Sequence, residues 1–578
     1  MSTIDRRAFL TGSAIVATGA ALAGLTGCGT SSQTDDSAPA EGTANIQLPI
    51  DLTMADVEGS LVELEPITEF AAEESYDVVV VGAGVAGVPA VLTAVEEGAS
   101  VCCLQREGKP AANGFGTSAV YKAGSTPGGI KRWMEDFAKG DGWRINRDLF
   151  QHHVDHSEET VSWLVAECTE LGLEGMGYKT SGAVCYEDGP IAAIFEISAP
   201  IPGGNQQVME ELAKKAEGLG AVFHYETPGV QLIQDADGRV TGVVGKKADG
   251  SYIKVNAAKG VIMATGDYMN NEAMVDHYSR DLSGKFLRLQ TNRTGDGQIM
   301  GILAGARIVP PAHAHQVHGL IPFFMKCPII ALDGNGERFM NENIYMTSWN
   351  TVASYHYPKG QDTILYRFFD SEYETKYGQY PELQPLAPKP MLDNAIDTHT
   401  PITQYDFHNV CHRADTLEDL CAEVGIPFEQ AKASIDRYNQ LCDLGEDEDF
   451  GVKAAYLQKI ETPPFYCIKD VLGLAAINGG FTVNSNYEAI DGEGNVIPGL
   501  FGAGVCADGI CGGINWSMPG GCSNSHCITS GRYTALLALG KTAPSTVHKF
   551  EDMWDNFRGE DGKFAWENGT ARKAPDLW

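Results

Sequence analysis

The sequence predicts an α/β fold organised on a Rossmann-like βαβ unit, and two observations carry that prediction. Tyr76-Asp77-Val78-Val79-Val80-Val81 is a β-branched run of the kind a parallel strand buried on both faces requires, and Gly82-Ala83-Gly84-Val85-Ala86-Gly87 follows it directly. A helix over residues 88–97 then leads to Gly98-Ala99-Ser100-Val101-Cys102-Cys103-Leu104, a second strand at crossover distance. The first glycine permits the turn, the second lets backbone approach a pyrophosphate, and the third lets the helix pack on the strand with its positive pole toward phosphates. Pro89 falls in the first helical turn, where a missing N–H costs nothing. Gly82, Gly84, Ala86 and Gly87 are thus candidate dinucleotide contacts. Where the second strand ends, an acidic residue usually grips the ribose hydroxyls; the sequence has Gln105, which hydrogen-bonds without the charge.

The chain of 578 residues exceeds one ordinary domain. Its charges sum to 42 − 76 = −34 with no dense Lys/Arg run, which excludes nucleic acid and electrostatic capture of anionic lipid. Hydrophobic content of 43% against 20% charged residues describes a folded chain, and 66 glycines point to many tight turns and close backbone approaches.

The first 28 residues read as an export signal. Asp5-Arg6-Arg7-Ala8-Phe9-Leu10 is a twin-arginine pattern, the weakly apolar residues 13–27 are too few to span a bilayer, and Leu25-Thr26-Gly27-Cys28 has the form of a lipobox. Residues 29–70 form the tether and lead-in, with a Ser/Thr/Asp/Ala-rich start that buries too little to fold. The expected location is extracytoplasmic, on the cell membrane through a lipid on Cys28. A chain folded in the cytoplasm before export needs no disulfides, and the thirteen cysteines left beside Cys28 are expected to be mostly free thiols.

Five further segments occur in order: Gly238-Arg239-Val240-Thr241-Gly242-Val243; residues 258–267, Ala-Lys-Gly-Val-Ile-Met-Ala-Thr-Gly-Asp; Thr294-Gly295-Asp296-Gly297; residues 334–342, Gly-Asn-Gly-Glu-Arg-Phe-Met-Asn-Glu; and residues 497–504, Ile-Pro-Gly-Leu-Phe-Gly-Ala-Gly. With these the chain resembles, over residues 76–539, the FAD-dependent fumarate reductase and flavocytochrome c superfamily, which includes urocanate reductases and 3-ketosteroid dehydrogenases. The resemblance implies a Rossmann-like discontinuous FAD-binding domain, residues 71–305 and 461–540, interrupted by an inserted α+β capping domain over residues 306–460, with a C-terminal extension over residues 541–578. It implies cofactor contacts at Asn113, Gly114, Thr117, Gly266, Asp267, Asp296, Gly504, Gly520, Gly521 and Ser523 besides the glycine turn and Gln105. Asp296 offers its carboxylate to ribityl hydroxyls or closes the turn, and Pro519-Gly520-Gly521-Cys522-Ser523 starts a helix whose free N–H groups favour reduced flavin.

The departures from the family bear on substrate. In ungapped register, the proton-donating arginine of the dicarboxylate reductases falls on Met346, two relay residues on Pro322 and Met325, the clamping histidine on Ala476 ahead of Gly479 and Gly480, and a second arginine on Met518. A substrate carboxylate would lose bidentate partners there, so a neutral, rather apolar substrate is expected. The ketosteroid dehydrogenases' tyrosine is also replaced, by Met518. Tyr345 and His318 are the candidate catalytic donors, drawn from a set that includes Trp516, His313 and His315. Cys506, Cys511, Cys522 and Cys527 match no common iron–sulfur or zinc spacing, and Cys411-His412 lacks a haem-attachment partner; no metal is expected. Residues 373–377 and the acidic run 446–449 read as solvated cap surface.

The expected activity is reduction of an activated C=C bond in a neutral enone-like or aryl-conjugated substrate. Hydride comes from flavin, and electrons from a respiratory partner such as a membrane quinol-linked cytochrome. The alternatives are a 3-ketosteroid-type dehydrogenase, a fumarate-reductase-like dicarboxylate reductase and a flavin electron carrier.

Overall fold

The computed structural model describes residue 48 and residues 52–563 except 115, 123–124, 141, 174–178, 181–192, 199–203, 291, 319–326, 345–347, 381–382, 384–385, 400–409, 508–520 and 550–558. The export signal with Cys28, and Tyr345, Met346, Trp516, Met518, Gly520 and Cys511, lie outside those residues, as does the side chain of His318.

A mostly parallel sheet takes β1 (Ala72–Val81), β2 (Val101–Leu104), β3 (Val222–His224), β4 (Tyr252–Met263) and β5 (Val496–Gly502), in the spatial order β5-β4-β1-β2-β3. The β-branched run behaves as a doubly buried strand must: Val79 and Val81 join Cys102 and Leu104 in one core, while Val78 and Val80 join Val101 and Cys103 in the other. Each of these eight side chains is at most 3% exposed, and burying one such valine contributes about 1.5–3 kcal/mol before chain entropy is counted.

Helix α1 (Gly87–Glu96) leaves the glycine turn buried along Gly87–Ala94. A polar face would be wasted there, and Val-Pro-Ala-Val-Leu-Thr-Ala supplies none. It lies between the sheet and the C-terminal helix, which approaches so closely that a Cβ at Gly531 would sit 2.0 Å from the Ala86 carbonyl oxygen. At the turn itself, Gly82 has φ +101°, and a Cβ on Gly87 would lie 1.8 Å from the Gly82 carbonyl oxygen. Helix α2 (Asp296–Leu303) begins at Thr294-Gly295-Asp296-Gly297, and α3 (Cys522–Ala538) begins after Gly521, whose φ is +80°.

Three smaller sheets stand apart among the described residues, and two of them concern the site and the cap region. Gly473–Asn478 pairs in parallel with Leu287–Arg288 and antiparallel with Ala314–His318. Ile364–Asp370 pairs with Ala331–Leu332 and with Phe465–Val471, which also pairs with Val410–Ala414. This second sheet carries helices Leu417–Val424 and Phe428–Leu444 on its own core of Leu420, Val424, Ile435 and Tyr438.

The residues expected on the cap surface divide. Tyr373 and Tyr377 are 0% and 4% exposed, because their rings fill a core with Phe369 and Tyr466. Asp447 is buried as well: it takes the Arg338 guanidinium in two hydrogen bonds of 3.1 and 2.8 Å and accepts from the Val452 N–H. Arg338 also reaches Glu342 and stacks on Tyr438 and Phe450, so the Arg-Phe-Met-Asn-Glu segment is tied to helix Phe428–Leu444 and the loop that follows it. Among the described residues no helix is long and apolar enough to cross a membrane.

Candidate active site

The carboxyl ends of β1, β2 and β4 open onto one cleft, where a doubly wound sheet binds its ligand. Its walls include Gly82, Gly84, Gln105, Glu107, Thr265 and Asp296. The turn between β1 and α1 faces it with the helix's positive pole, which attracts phosphate.

Gln105 serves that turn. Its Oε1 accepts from the Ala83 N–H at 2.7 Å, while its Nε2 donates to Glu107 Oε2 at 2.5 Å and to the Lys109 carbonyl. At 3% exposure both ends of the carboxamide are engaged by protein. An acidic residue that the sequence reading did not single out stands two positions on: Glu107 lines the cleft, held by Gln105 and by Asn292 Nδ2. The sequence signal for it is the Gln-Arg-Glu run that follows β2, whose third residue is acidic.

Asp296 occupies the first turn of α2. Its Oδ1 accepts from the Leu61 N–H at 2.9 Å, and burial pushes its carboxyl above the usual range. Arg106 lies 4.0 Å from Asp296 Oδ2 and donates to Thr294 Oγ1 and the Asn292 carbonyl. Asp267 is 3% exposed and accepts from the Met269 N–H at 2.8 Å and the Ile477 N–H at 3.4 Å; burial pushes its carboxyl up to about 6. Gly266, beside it, has φ +80°.

The other expected contacts converge past α1. Gly504 donates to Ser530 Oγ at 2.9 Å, and a Cβ there would stand 3.0 Å from Ala86 Cβ. Gly521 backs onto the Thr117 backbone, with a would-be Cβ at 2.7 Å. Asn524 Nδ2 donates to the Gly116 carbonyl, and a Cβ at Gly114 would meet the same amide nitrogen at 2.5 Å. Asn113 Nδ2 reaches the Ala475 carbonyl at 3.4 Å. Ser523 sits half-buried in the first turn of α3. Segments 113–117, 475–480 and 521–524 thus lie together beyond the glycine turn.

Two histidines of the donor set are engaged elsewhere. His313 Nδ1 meets the Tyr268 hydroxyl at 2.6 Å and its Nε2 meets the Val309 carbonyl at 2.8 Å; burial lowers its pKa to about 4. His315 is 0% exposed, with Nε2 3.4 Å from Asp281 Oδ2. Ala476 is where the histidine clamp was expected, and it pairs with Gln316 across the strands.

The described cysteines are free thiols. Cys506 Sγ lies 3.1 Å from Thr265 Oγ1, and Cys522 Sγ lies 3.3 Å from His153 Nε2. Burial pushes Cys506 up to about 11 and Cys522 and Cys527 up to about 12, so all three are protonated at neutral pH and are poor nucleophiles.

Residues 77–525 match the FAD binding domain family. The chain is 27% identical over 518 residues to a vinyl phenol reductase of Lactiplantibacillus plantarum, covering 82% of this chain and 99% of that one. Among solved structures it is similar to the open conformation of a flavocytochrome c3 fumarate reductase, with a TM-score of 0.60 at 22% identity, covering 81% of this chain and 79% of that one. It is also similar to 3-ketosteroid-Δ4-(5α)-dehydrogenase from Rhodococcus jostii RHA1 in complex with 4-androstene-3,17-dione, with a TM-score of 0.56 at 23% identity and coverages of 82% and 98%.

Proposed function

The chain belongs to the FAD binding domain family, and from that premise we propose that it is an FAD-dependent reductase of C=C bonds whose substrate is uncharged at both ends of the alkene. The cleft fits the cofactor on its own chemistry: a glycine turn that a Cβ would fill, a helix N-terminus for the diphosphate, and a carboxylate, Glu107, for ribose hydroxyls. Asp296 is within reach of the same cleft as a second acceptor for hydroxyl groups.

Bound and reduced, FAD supplies the hydride for the electron-poor carbon. The protein's part is to orient the alkene, exclude water and protonate the neighbouring carbon, and Tyr345 and His318 are the proposed donors. The observation that carries the neutral-substrate reading is Ala476, a methyl group at the position expected of a charge-bearing histidine. A carboxylate buried against it would lose its partner and its hydration together. The likeness to a vinyl phenol reductase supports the same reading. Export through the twin-arginine signal, a lipid on Cys28 and electrons from a membrane quinol-linked cytochrome complete the proposal.

The test is steady-state oxidation of reduced viologen by a panel holding 4-vinylphenol, neutral enones, a 3-keto-4-ene steroid, urocanate and fumarate. Turnover confined to the uncharged members is expected; turnover of fumarate at a comparable rate contradicts the reading. Tyr345→Phe and His318→Gln are each expected to lower kcat by 10²–10⁴ when the residue is the general acid. Unchanged kcat in both removes them from the mechanism.

A further inference from the structure

The cofactor cleft contains two arginines in different circumstances. Arg106 is tied down by Thr294 Oγ1, the Asn292 carbonyl and the nearby Asp296 carboxylate. Arg293, on the same wall, has no hydrogen-bond acceptor or ion-pair partner for its guanidinium among the described residues. Its backbone is fixed: the Arg293 N–H donates to Asn270 Oδ1 at 3.0 Å, and its carbonyl accepts from the Asn270 N–H at 2.8 Å. The side chain lies flat on Gly266, where a Cβ would stand 2.2 Å from Nη1 and 3.0 Å from Cζ. A side chain at position 266 would displace the guanidinium from this place.

The groups around it define what it faces. Its charge acts on Asp267, whose oxygens are already taken by the Met269 and Ile477 N–H groups, and on Cys527 in the second turn of α3. A Cβ at Gly504 would lie 3.0 Å from Ala86 Cβ and 3.5 Å from Cys527 Sγ, which puts Cys527 beside the start of α1. A half-buried guanidinium without a protein hydrogen-bond acceptor among the described residues and a helix N-terminus therefore flank one stretch of the cleft. Each is half of an anion site, and a planar guanidinium is matched to two phosphate oxygens at once.

We propose that Arg293 clamps the diphosphate of FAD against the N-terminus of α1, with Gly266 kept small to admit the guanidinium. The clamp supplies a charge that a glycine turn and a helix pole do not, and it is independent of which alkene the enzyme reduces.

The test is the dissociation constant of FAD from the holoenzyme, followed by recovery of flavin fluorescence on dilution, with riboflavin as the phosphate-free probe. Arg293→Gln is expected to weaken FAD by about 30- to 100-fold and to reduce its dependence on salt, with Arg293→Lys in between, because lysine keeps the charge and loses the fork. Riboflavin affinity is expected to stay within threefold of the parent. An FAD constant unchanged in Arg293→Gln overturns the proposal, and so does an equal loss for riboflavin, which marks a general collapse of the cleft. Phenylglyoxal labelling of the unmutated protein, mapped by mass spectrometry, needs no variant. FAD is expected to protect Arg293 and riboflavin to leave it reactive; labelling of Arg293 in the FAD-loaded protein at the apo rate overturns the proposal.

Discussion

Gln105 and Glu107 line the same cleft and turn to different neighbours. Gln105 donates and accepts within the protein, so its carboxamide braces the glycine turn, and the Glu107 carboxylate is left facing the cleft. Glu107→Ala is expected to weaken FAD by about tenfold, the loss of one charged hydrogen bond. Gln105→Glu is expected to lower stability rather than tighten FAD, since it removes the donor to Glu107 and sets two carboxylates side by side; FAD titration and thermal unfolding check both. At this scale the glycines were legible from the sequence because close approach leaves one residue type, whereas the choice between residues 105 and 107 depends on which way each side chain turns at the end of β2. The neutral, engaged state of His313 was not legible either: Tyr268 and Val309, its partners, are brought to it by the fold.

Helices α1 and α3 and the long helix Arg147–Glu170 are joined by one buried side chain. Arg532, 2% exposed, donates to Glu159 at 2.8 and 3.3 Å and to Thr93 Oγ1 at 3.2 Å, and its guanidinium stacks 4.5 Å from the Trp163 ring centre. Arg532→Met leaves Glu159 without its charge partner and is expected to cost about 3–5 kcal/mol in chemical denaturation; a loss below 1 kcal/mol would mean that the pair adds little. The strand–turn–helix–strand order of the first unit was readable because a β-branched run, a glycine turn and an apolar helix agree with one another at every position. The cap was less readable. Tyr373, Tyr377 and Asp447 sit in segments whose composition is polar, and only the sheet Ile364–Asp370 with Phe465–Val471 and the helix Phe428–Leu444 give them an interior to enter.

For the whole molecule, acid is expected to be the sensitive direction. His526 on α3 and His153 packed near it are buried and His152 is half-buried, and desolvation lowers their pKa, to about 3 for His152 and about 4 for His526. A histidine held neutral in the fold contributes stability that is present above the unfolded value of about 6.5 and is lost as pH falls toward the folded one. At pH 5 the loss for His526 is on the order of 2 kcal/mol. Tm is therefore expected to drop between pH 7 and pH 5, and His526→Asn to flatten that slope; a Tm independent of pH over this range contradicts the burial argument. The FAD fold and the class of chemistry were both present in the order of motifs. The substrate was present only as departures from a pattern, because sequence spacing does not assemble paired strands such as Gly473–Asn478 and Ala314–His318, on which Ala476 and His318 stand. The central claim is that the substrate end of the site carries no charge for a carboxylate. The most direct measurement is stopped-flow reoxidation of the reduced holoenzyme by fumarate and by its dimethyl ester, each rate divided by that for free reduced flavin. A preference for the ester of about 100-fold after that correction is the predicted result, and an equal or reversed preference would contradict the account.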